Sequence, residues 1–142
     1  MNTAGPDFRM FVAYPQSDED SVDDSYVMKV FFTKALADGL TTQQLKDKFT
    51  IRIGPNDTTL GTAQSREDFA INYDINATYH ELAFPIPNLW NDQPNYLHKI
   101  EVTFDRTAPA ADLTTERIVK ALPSNKPRIS IVTPPELDSD GK

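Results

Sequence analysis

The sequence contains no cysteine, only one tryptophan and only five glycines in 142 residues. The absence of cysteine excludes disulfides, a thiolate metal site and a cysteine nucleophile. No stretch approaches the roughly 18 consecutive apolar residues that a membrane-spanning helix needs. The chain must therefore hold its fold by core packing, and its length fits one domain, since domains most often have about 100–150 residues.

Positive charge is also scarce, because 14 Lys and Arg face 21 Asp and Glu, for a net charge of −7. The basic residues are scattered and form no stripe that would neutralise phosphates, so we expect no nucleic-acid partner. The first ten residues, MNTAGPDFRM, lack the basic and apolar regions of a secretory signal. We therefore expect no signal peptide and synthesis in the cytoplasm.

Alternation of apolar and polar residues predicts strands at 49–53, 69–75 and 96–104. The inward residues of these strands are Phe49, Ile51 and Ile53; Phe69, Ile71, Tyr73 and Ile75; and Tyr96, His98, Ile100, Val102 and Phe104. Four further stretches, 8–14, 26–33, 79–86 and 128–133, are rich in β-branched and aromatic residues and are also predicted as strands.

Helical patterns are short. Residues 42–48 are predicted as a helix, with Thr41 and Gln44 forming a capping box. Residues 114–122 are predicted as a second short helix, although Ile118 and Val119 also suit a strand. About seven short strands with one or two short helices indicate an all-β fold, an antiparallel immunoglobulin-like sandwich, with a jelly roll as the alternative. We divide the chain into an N-terminal arm at 1–7, a sandwich domain at 8–133 and a polar tail at 134–142.

Two stretches resemble the immunoglobulin-like modules of bacterial and phage proteins. These are KVFFTKALADGLTTQQLKDKFTIRI at 29–53 and NYLHKIEVTF at 95–104. The resemblance implies that these strands form a sandwich, and it implies no catalytic residues because the modules share none. The chain lacks the Cys, Trp, Cys spacing of antibody domains.

The stretch SDEDSVDD at 17–24 places five acidic residues between two predicted strands. It does not match an EF-hand, because loop position 5 is Val22 and position 12 is Lys29. A looser calcium site could use Asp18, Asp20 and Asp23. We favour the simpler interpretation, a solvated loop between strands.

The two histidines, His80 and His98, lie in predicted strands. Facing imidazoles could bind a metal with a third ligand such as Glu81 or Asp92, but a hydrogen-bonded core histidine is the favoured interpretation. No nucleophile turn or phosphate-binding glycine loop is present. We therefore predict no catalytic residues, no metal and no cofactor, and a protein that is not an enzyme.

The loop PIPNLWNDQPNYL at 85–97 holds the only tryptophan among planar amides. Its interface candidates are Leu89, Trp90, Asn91, Asp92 and Gln93. Such an aromatic suits a protein interface or a sugar ring, and it also suits a plug at one end of the sandwich.

These features favour a structural or assembly protein that works by contacts with other structural proteins or with itself. A virion component, such as a phage head, neck, tail or decoration protein, fits best, and we then expect the chain in an assembled particle. The alternatives are a recognition module for carbohydrate or protein that uses the Trp90 loop, and a small enzyme that uses His80 or His98.

Overall fold

The computed structural model describes residues 7–23, 26–59, 61–87 and 96–122, which form nine strands, one α-helix and one 3-10 helix. The strands are β1 (Met10–Tyr14), β2 (Asp20–Val22), β3 (Val27–Thr33), β4 (Phe49–Ile53), β5 (Thr62–Ala63), β6 (Ala70–Asn72), β7 (Tyr79–Pro85), β8 (Tyr96–Phe104) and β9 (Leu113–Ala121). The 3-10 helix is Lys34–Ala37 and helix α1 is Thr42–Lys48.

The strands form two sheets. The first has the order β1-β3-β7-β6, and all its pairs are antiparallel. The second has the order β2-β9-β8-β4-β5, in which only β2 and β9 run parallel. Leaving out the two short strands β2 and β5, this is the arrangement of an immunoglobulin constant-type sandwich, with strands A, B, E and D in one sheet and C, F and G in the other. The predicted antiparallel β-sandwich is therefore confirmed.

The core lies between the sheets and is centred on aromatic rings that meet edge to face. The ring of Phe32 in β3 contacts the ring of Phe49 in β4 edge-on, with 5.1 Å between the ring centres, and the ring centres of Phe49 and Phe104 in β8 are 5.0 Å apart. Phe32 and Phe49 are fully buried. Because these rings cross from one sheet to the other, they fix how the sheets face each other, and burying each one contributes about 1.5–3 kcal/mol.

Helix α1 has the predicted bounds and the predicted capping box. The Thr41 hydroxyl accepts a hydrogen bond from the Gln44 backbone N–H at 3.1 Å, and the Gln44 side chain accepts one from the Thr41 N–H at 2.9 Å. Leu45 is fully buried and anchors the helix to the core. Strands β4 and β8 also have the bounds predicted from alternation.

Two predictions of secondary structure need correction. The stretch 114–122 is not a helix, because β9 runs from Leu113 to Ala121 and pairs along its length with β8. The strand predicted at 69–75 is cut to Ala70–Asn72, because Asp74 adopts a positive φ of 56° that ends the strand. Tyr73 is consequently 44% exposed and not inward. The strand predicted at 128–133 lies outside the described residues, and the division at residues 7 and 133 stays a prediction.

Candidate functional site

The predicted interface loop lies outside the residues that the structure describes. This applies to all five of its candidates, Leu89, Trp90, Asn91, Asp92 and Gln93. A carbohydrate- or protein-recognition role for this loop therefore stays a prediction, and glycan-array binding that disappears in Trp90→Ala would support it.

The interpretation of the acidic stretch as a solvated loop needs correction, because its residues Asp20–Val22 form β2, which pairs with β9 and buries Val22. Asp18, just before β2, ties what we still call the acidic loop to β9. The Asp18 carboxylate accepts a hydrogen bond from the Ile118 N–H at 3.0 Å and lies 3.6 Å from the guanidinium of Arg117. The neighbouring Glu19 N–H donates to the Ile118 carbonyl at 2.6 Å. Arg117 also donates to the Val12 carbonyl of β1 at 2.9 Å, so it joins the two sheets at this edge. Asp18 therefore stabilises the fold through its contacts with Ile118 and Arg117.

The other two calcium candidates have local contacts. The Asp20 carboxylate accepts from the Ser17 N–H at 3.2 Å, and the Asp23 carbonyl accepts from the Tyr26 N–H at 3.3 Å. Within the described ranges, no three His, Asp or Glu side chains are grouped so that they could hold a metal ion.

His80 is buried on the inner face of β7, where it accepts a hydrogen bond from the Asp74 N–H through Nδ1 at 2.8 Å. Its ring packs edge-on against Phe32 and Tyr73. Burial lowers the pKa of His80 below its ordinary value, an effect that the nearby Asp74 carboxylate opposes. The neutral ring is therefore the form that the fold stabilises.

His98 lies in the second sheet, on the inner face of β8. Its Nδ1–H donates to the Gly54 carbonyl at 2.7 Å. Because His80 belongs to the first sheet and His98 to the second, the two imidazoles are not on paired strands. The interpretation of both as hydrogen-bonded core residues is confirmed by these bonds and by their burial.

The most unusual surface is on the outer side of the first sheet, where four aromatic rings lie side by side. We call Phe11, Tyr14, Phe31 and Tyr79 the aromatic face. Phe31 lies 5.6 Å from Phe11, 6.4 Å from Tyr14 and 5.9 Å from Tyr79, and Phe11 lies 5.2 Å from Tyr79. Phe11 is 39% exposed and Tyr14 is 42% exposed.

The register of the strands explains why these rings meet. Phe11 of β1 is directly opposite Phe31 of β3. A bulge in β1 then places Tyr14 opposite Lys29, so Tyr14 points to the same side as Phe31. Cross-strand aromatic pairs of this kind stabilise a sheet by about 0.2–1 kcal/mol each.

Positively and negatively charged side chains occur in equal numbers at the aromatic face. The Arg9 guanidinium lies 5.5 Å from the centre of the Tyr79 ring and pairs with Asp7 at 2.6 Å. The Lys29 ammonium lies 6.0 Å from the centre of the Tyr14 ring. The second carboxylate of this surface belongs to Glu81, which is buried and accepts from the Asn72 side chain at 2.7 Å. The face is therefore neutral on an acidic molecule.

Side chains cover the strand edges that flank the sandwich. The Arg66 guanidinium donates to the Phe49 carbonyl at 2.7 Å and to the Thr50 hydroxyl at 3.0 Å, along the outer edge of β4. Asp18 and Glu19 cover the corresponding groups of Ile118 on β9, as described above. Such covering hinders another chain from adding a strand at these two places.

Two depressions were considered as ligand sites. One, of about 160 Å³, is lined by residues that include Gln64, Asp68 and Phe69, and it is smaller than the roughly 300–1,000 Å³ of a typical small-molecule site. The other, of about 420 Å³, is an open hollow lined by Leu40, Gln44, Asp47, Lys48 and Asp105. Neither is lined by a histidine, and the larger hollow is bordered mainly by the polar side chains of helix α1 and Asp105. No helix in the described part of the chain has the length and apolarity needed to cross a membrane.

Sequence reasoning missed the aromatic face, although a signal was present. Strand β3, VMKVFFT, has apolar residues at both parities, because Met28, Val30 and Phe32 face the core while Val27 and Phe31 face outward. A strand that is apolar on both faces indicates that both faces are covered. The prediction of strands at 8–14 and 26–33 did not divide their residues between the two faces of a sheet, so it did not identify an apolar outer face.

Comparisons with known proteins do not identify a family for this chain. No protein-family model matches the chain, and no curated protein matches it. Among solved structures, the chain is similar to AggA, the major subunit of aggregative adherence fimbriae type I from Escherichia coli, with a TM-score of 0.34 and 9% sequence identity. That similarity covers 87% of this chain and 98% of the other. A score this low carries no argument, so the fold assignment rests on the strand order described above.

Proposed function

We propose that this chain is a non-enzymatic structural protein that works by protein–protein contacts through its aromatic face. The observation that carries the proposal is the group of four adjacent rings on the outer side of a sheet, with Phe11 39% and Tyr14 42% exposed. Contiguous exposed apolar groups on a soluble protein mark interaction sites. Aromatic residues are also enriched at protein interfaces.

The non-enzymatic part of the proposal draws support from the histidines. His80 and His98 each use Nδ1 for a hydrogen bond within the fold. Both are buried, so neither presents an imidazole to a substrate at the surface.

The more specific proposal is a virion component, such as a phage head, neck, tail or decoration protein. It draws support from a disulfide-free β-sandwich with an exposed aromatic face. We also propose cytoplasmic synthesis and residence in an assembled particle.

The test is fractionation of particles from cells that carry the gene in its natural setting, with detection by antibody. We expect the protein to sediment with large particles, and we expect a Phe11→Ser/Tyr14→Ser variant to remain in the light fractions. A matched control, Lys99→Ala/Glu116→Ala, changes the opposite sheet and should sediment like the unmodified protein. Recovery of the unmodified protein only in the light fractions would contradict the proposal.

A further inference from the structure

We propose that the aromatic face binds the aromatic face of a second copy of this chain, so that the protein forms a two-fold symmetric dimer. This inference rests on the proposed function, because it names the partner of the same surface. A two-fold contact uses one patch twice, and each residue of the patch meets a residue of the same patch in the other copy.

The first argument for a second copy is charge. The chain carries a net charge of −7, so two copies repel each other over most approaches. The aromatic face adds no net charge to this repulsion, because its cations, Arg9 and Lys29, are equal in number to its carboxylates, Asp7 and Glu81. Two copies that meet through their aromatic faces therefore bring no excess of like charge together at the contact.

The second argument is the shape and chemistry of the patch. Three of the four ring contacts in the aromatic face are edge-on, with interplanar angles of 64°, 85° and 72°. The surface therefore offers both ring edges and ring faces, which are the two halves of an edge-to-face aromatic contact. A patch that carries both halves can complement itself, whereas a patch of one kind cannot.

The third argument is the absence of an alternative contact along the strand edges that Arg66 and Asp18 cover. Pairing of a second chain with β4 at Phe49 or with β9 at Ile118 would require these side chains to leave backbone groups that they now satisfy. Contact through the aromatic face requires no such loss. The structure thus favours the sheet face over the covered edges for self-association.

The first experiment is light scattering after gel filtration over a broad concentration series. We expect the mass to rise with concentration from the 16.0 kDa of one chain to twice that value. Phe11→Ser/Tyr14→Ser should keep the mass of one chain, and Lys99→Ala/Glu116→Ala should behave like the unmodified protein. A single-chain mass at every concentration would overturn the proposal, and so would a dimer that the aromatic substitutions leave unchanged.

A second measurement does not depend on those substitutions being tolerated. Because the chain has no cysteine, one introduced thiol reports on one position. Tyr14→Cys should cross-link to a species of twice the mass when treated with a short bis-maleimide, and Glu116→Cys on the opposite sheet should not. Equal cross-linking at both positions, or none at Tyr14→Cys, would count against the dimer.

The two proposals can fail separately. If the protein sediments with particles but stays a monomer in solution, the aromatic face has a different partner and only the dimer is overturned. If the protein is absent from particles yet dimerises as described, the dimer stands and the assembly role is contradicted.

Discussion

The outer faces of the two sheets differ in chemistry, because one carries cross-strand pairs of opposite charge and the other carries aromatic rings. On the second sheet, Arg52 of β4 lies opposite Glu101 of β8, and the Lys99 ammonium is 3.3 Å from the carboxylate of Glu116 on β9. On the first sheet, the corresponding outward positions hold the rings of Phe11 and Phe31. Cross-strand pairs of opposite charge are typical of a sheet that faces water, whereas paired aromatic rings are typical of a surface that becomes covered.

The difference shows what alternation in a sequence can reveal. In β8, outward Lys99, Glu101 and Thr103 alternate with buried residues, so the strand pattern identifies one wet face and one dry face. In β3 the outward Phe31 is as apolar as its inward neighbours. The alternation is weaker there because the second face also carries apolar side chains, and this weakness is the signal in the sequence of the proposed interaction surface.

The largest expected effect comes from comparing two adjacent phenylalanines of β3. Phe32→Ala removes a fully buried ring that packs against Phe49 and should lower the free energy of unfolding by about 3–5 kcal/mol. Phe31→Ala removes a half-buried ring of the aromatic face and should cost about 1 kcal/mol. Urea denaturation of dilute, monomeric protein measures both values. Similar losses for the two variants would mean that the outer face is a second core and not a surface available to a partner.

Much of the fold could be predicted from the sequence wherever one face of a strand or helix is exposed to solvent. Strands β4 and β8 and helix α1 have the predicted bounds, because alternation or a capping box defines each of them locally. The stretch TTERIVKAL was harder, because its threonines and charged residues suit both an exposed helix and an outward strand face. Pairing with β8 decides in favour of the strand, and that is a long-range contact which local propensity does not contain.

The candidate site could not be predicted in the same way. Phe11 and Tyr79 are 68 residues apart and meet only because β1 and β7 both flank β3. Strand order does not follow from strand count, so the sequence offered the rings without their arrangement. Trp90, the only tryptophan in the sequence, is the stronger local signal of an interface, and it lies outside the described residues.

A smaller effect concerns the pH dependence of the aromatic sheet, through His80 on its inner side. Because burial lowers the pKa of His80, the unfolded chain takes up a proton first as the pH falls. The stabilising contribution is complete above the ordinary pKa of about 6.5 and is lost as the pH falls through that value towards the pKa of the folded state. Asp74, whose pKa is lowered by its bond with Lys34, adds a loss at more acidic pH, below its own ordinary range.

Melting temperatures from about pH 8 to about pH 5 measure this dependence. In His80→Asn, the amide oxygen can still accept the hydrogen bond from Asp74 but does not titrate, so the decline near pH 6.5 should flatten even though the variant is less stable throughout. An unchanged decline in His80→Asn would show that another group is responsible, and the first sheet would then have no special sensitivity to acid.

The last prediction is that calcium has no effect on the stability of the protein through the acidic loop beside the second sheet. The Asp18 carboxylate already contacts the protein's own groups, the Ile118 N–H and the Arg117 guanidinium. A cation at Asp18 would have to compete with Arg117, and the two neighbouring candidates, Asp20 and Asp23, do not form a ligand group with it. We therefore expect the melting temperature to be the same in calcium and in chelator.

A bound ion would be easy to detect, because a ligand at a hundred times its dissociation constant stabilises the folded state by about 2.7 kcal/mol. Asp18→Asn provides the matched control, since the amide oxygen still accepts from Ile118 while the charge that attracts a cation is gone. A calcium-dependent rise that Asp18→Asn abolishes would make the loop a binding site. The contact of Arg117 with β1, which joins the two sheets, would then depend on calcium. The difference between the two faces would in that case reflect bound calcium as well as their side chains.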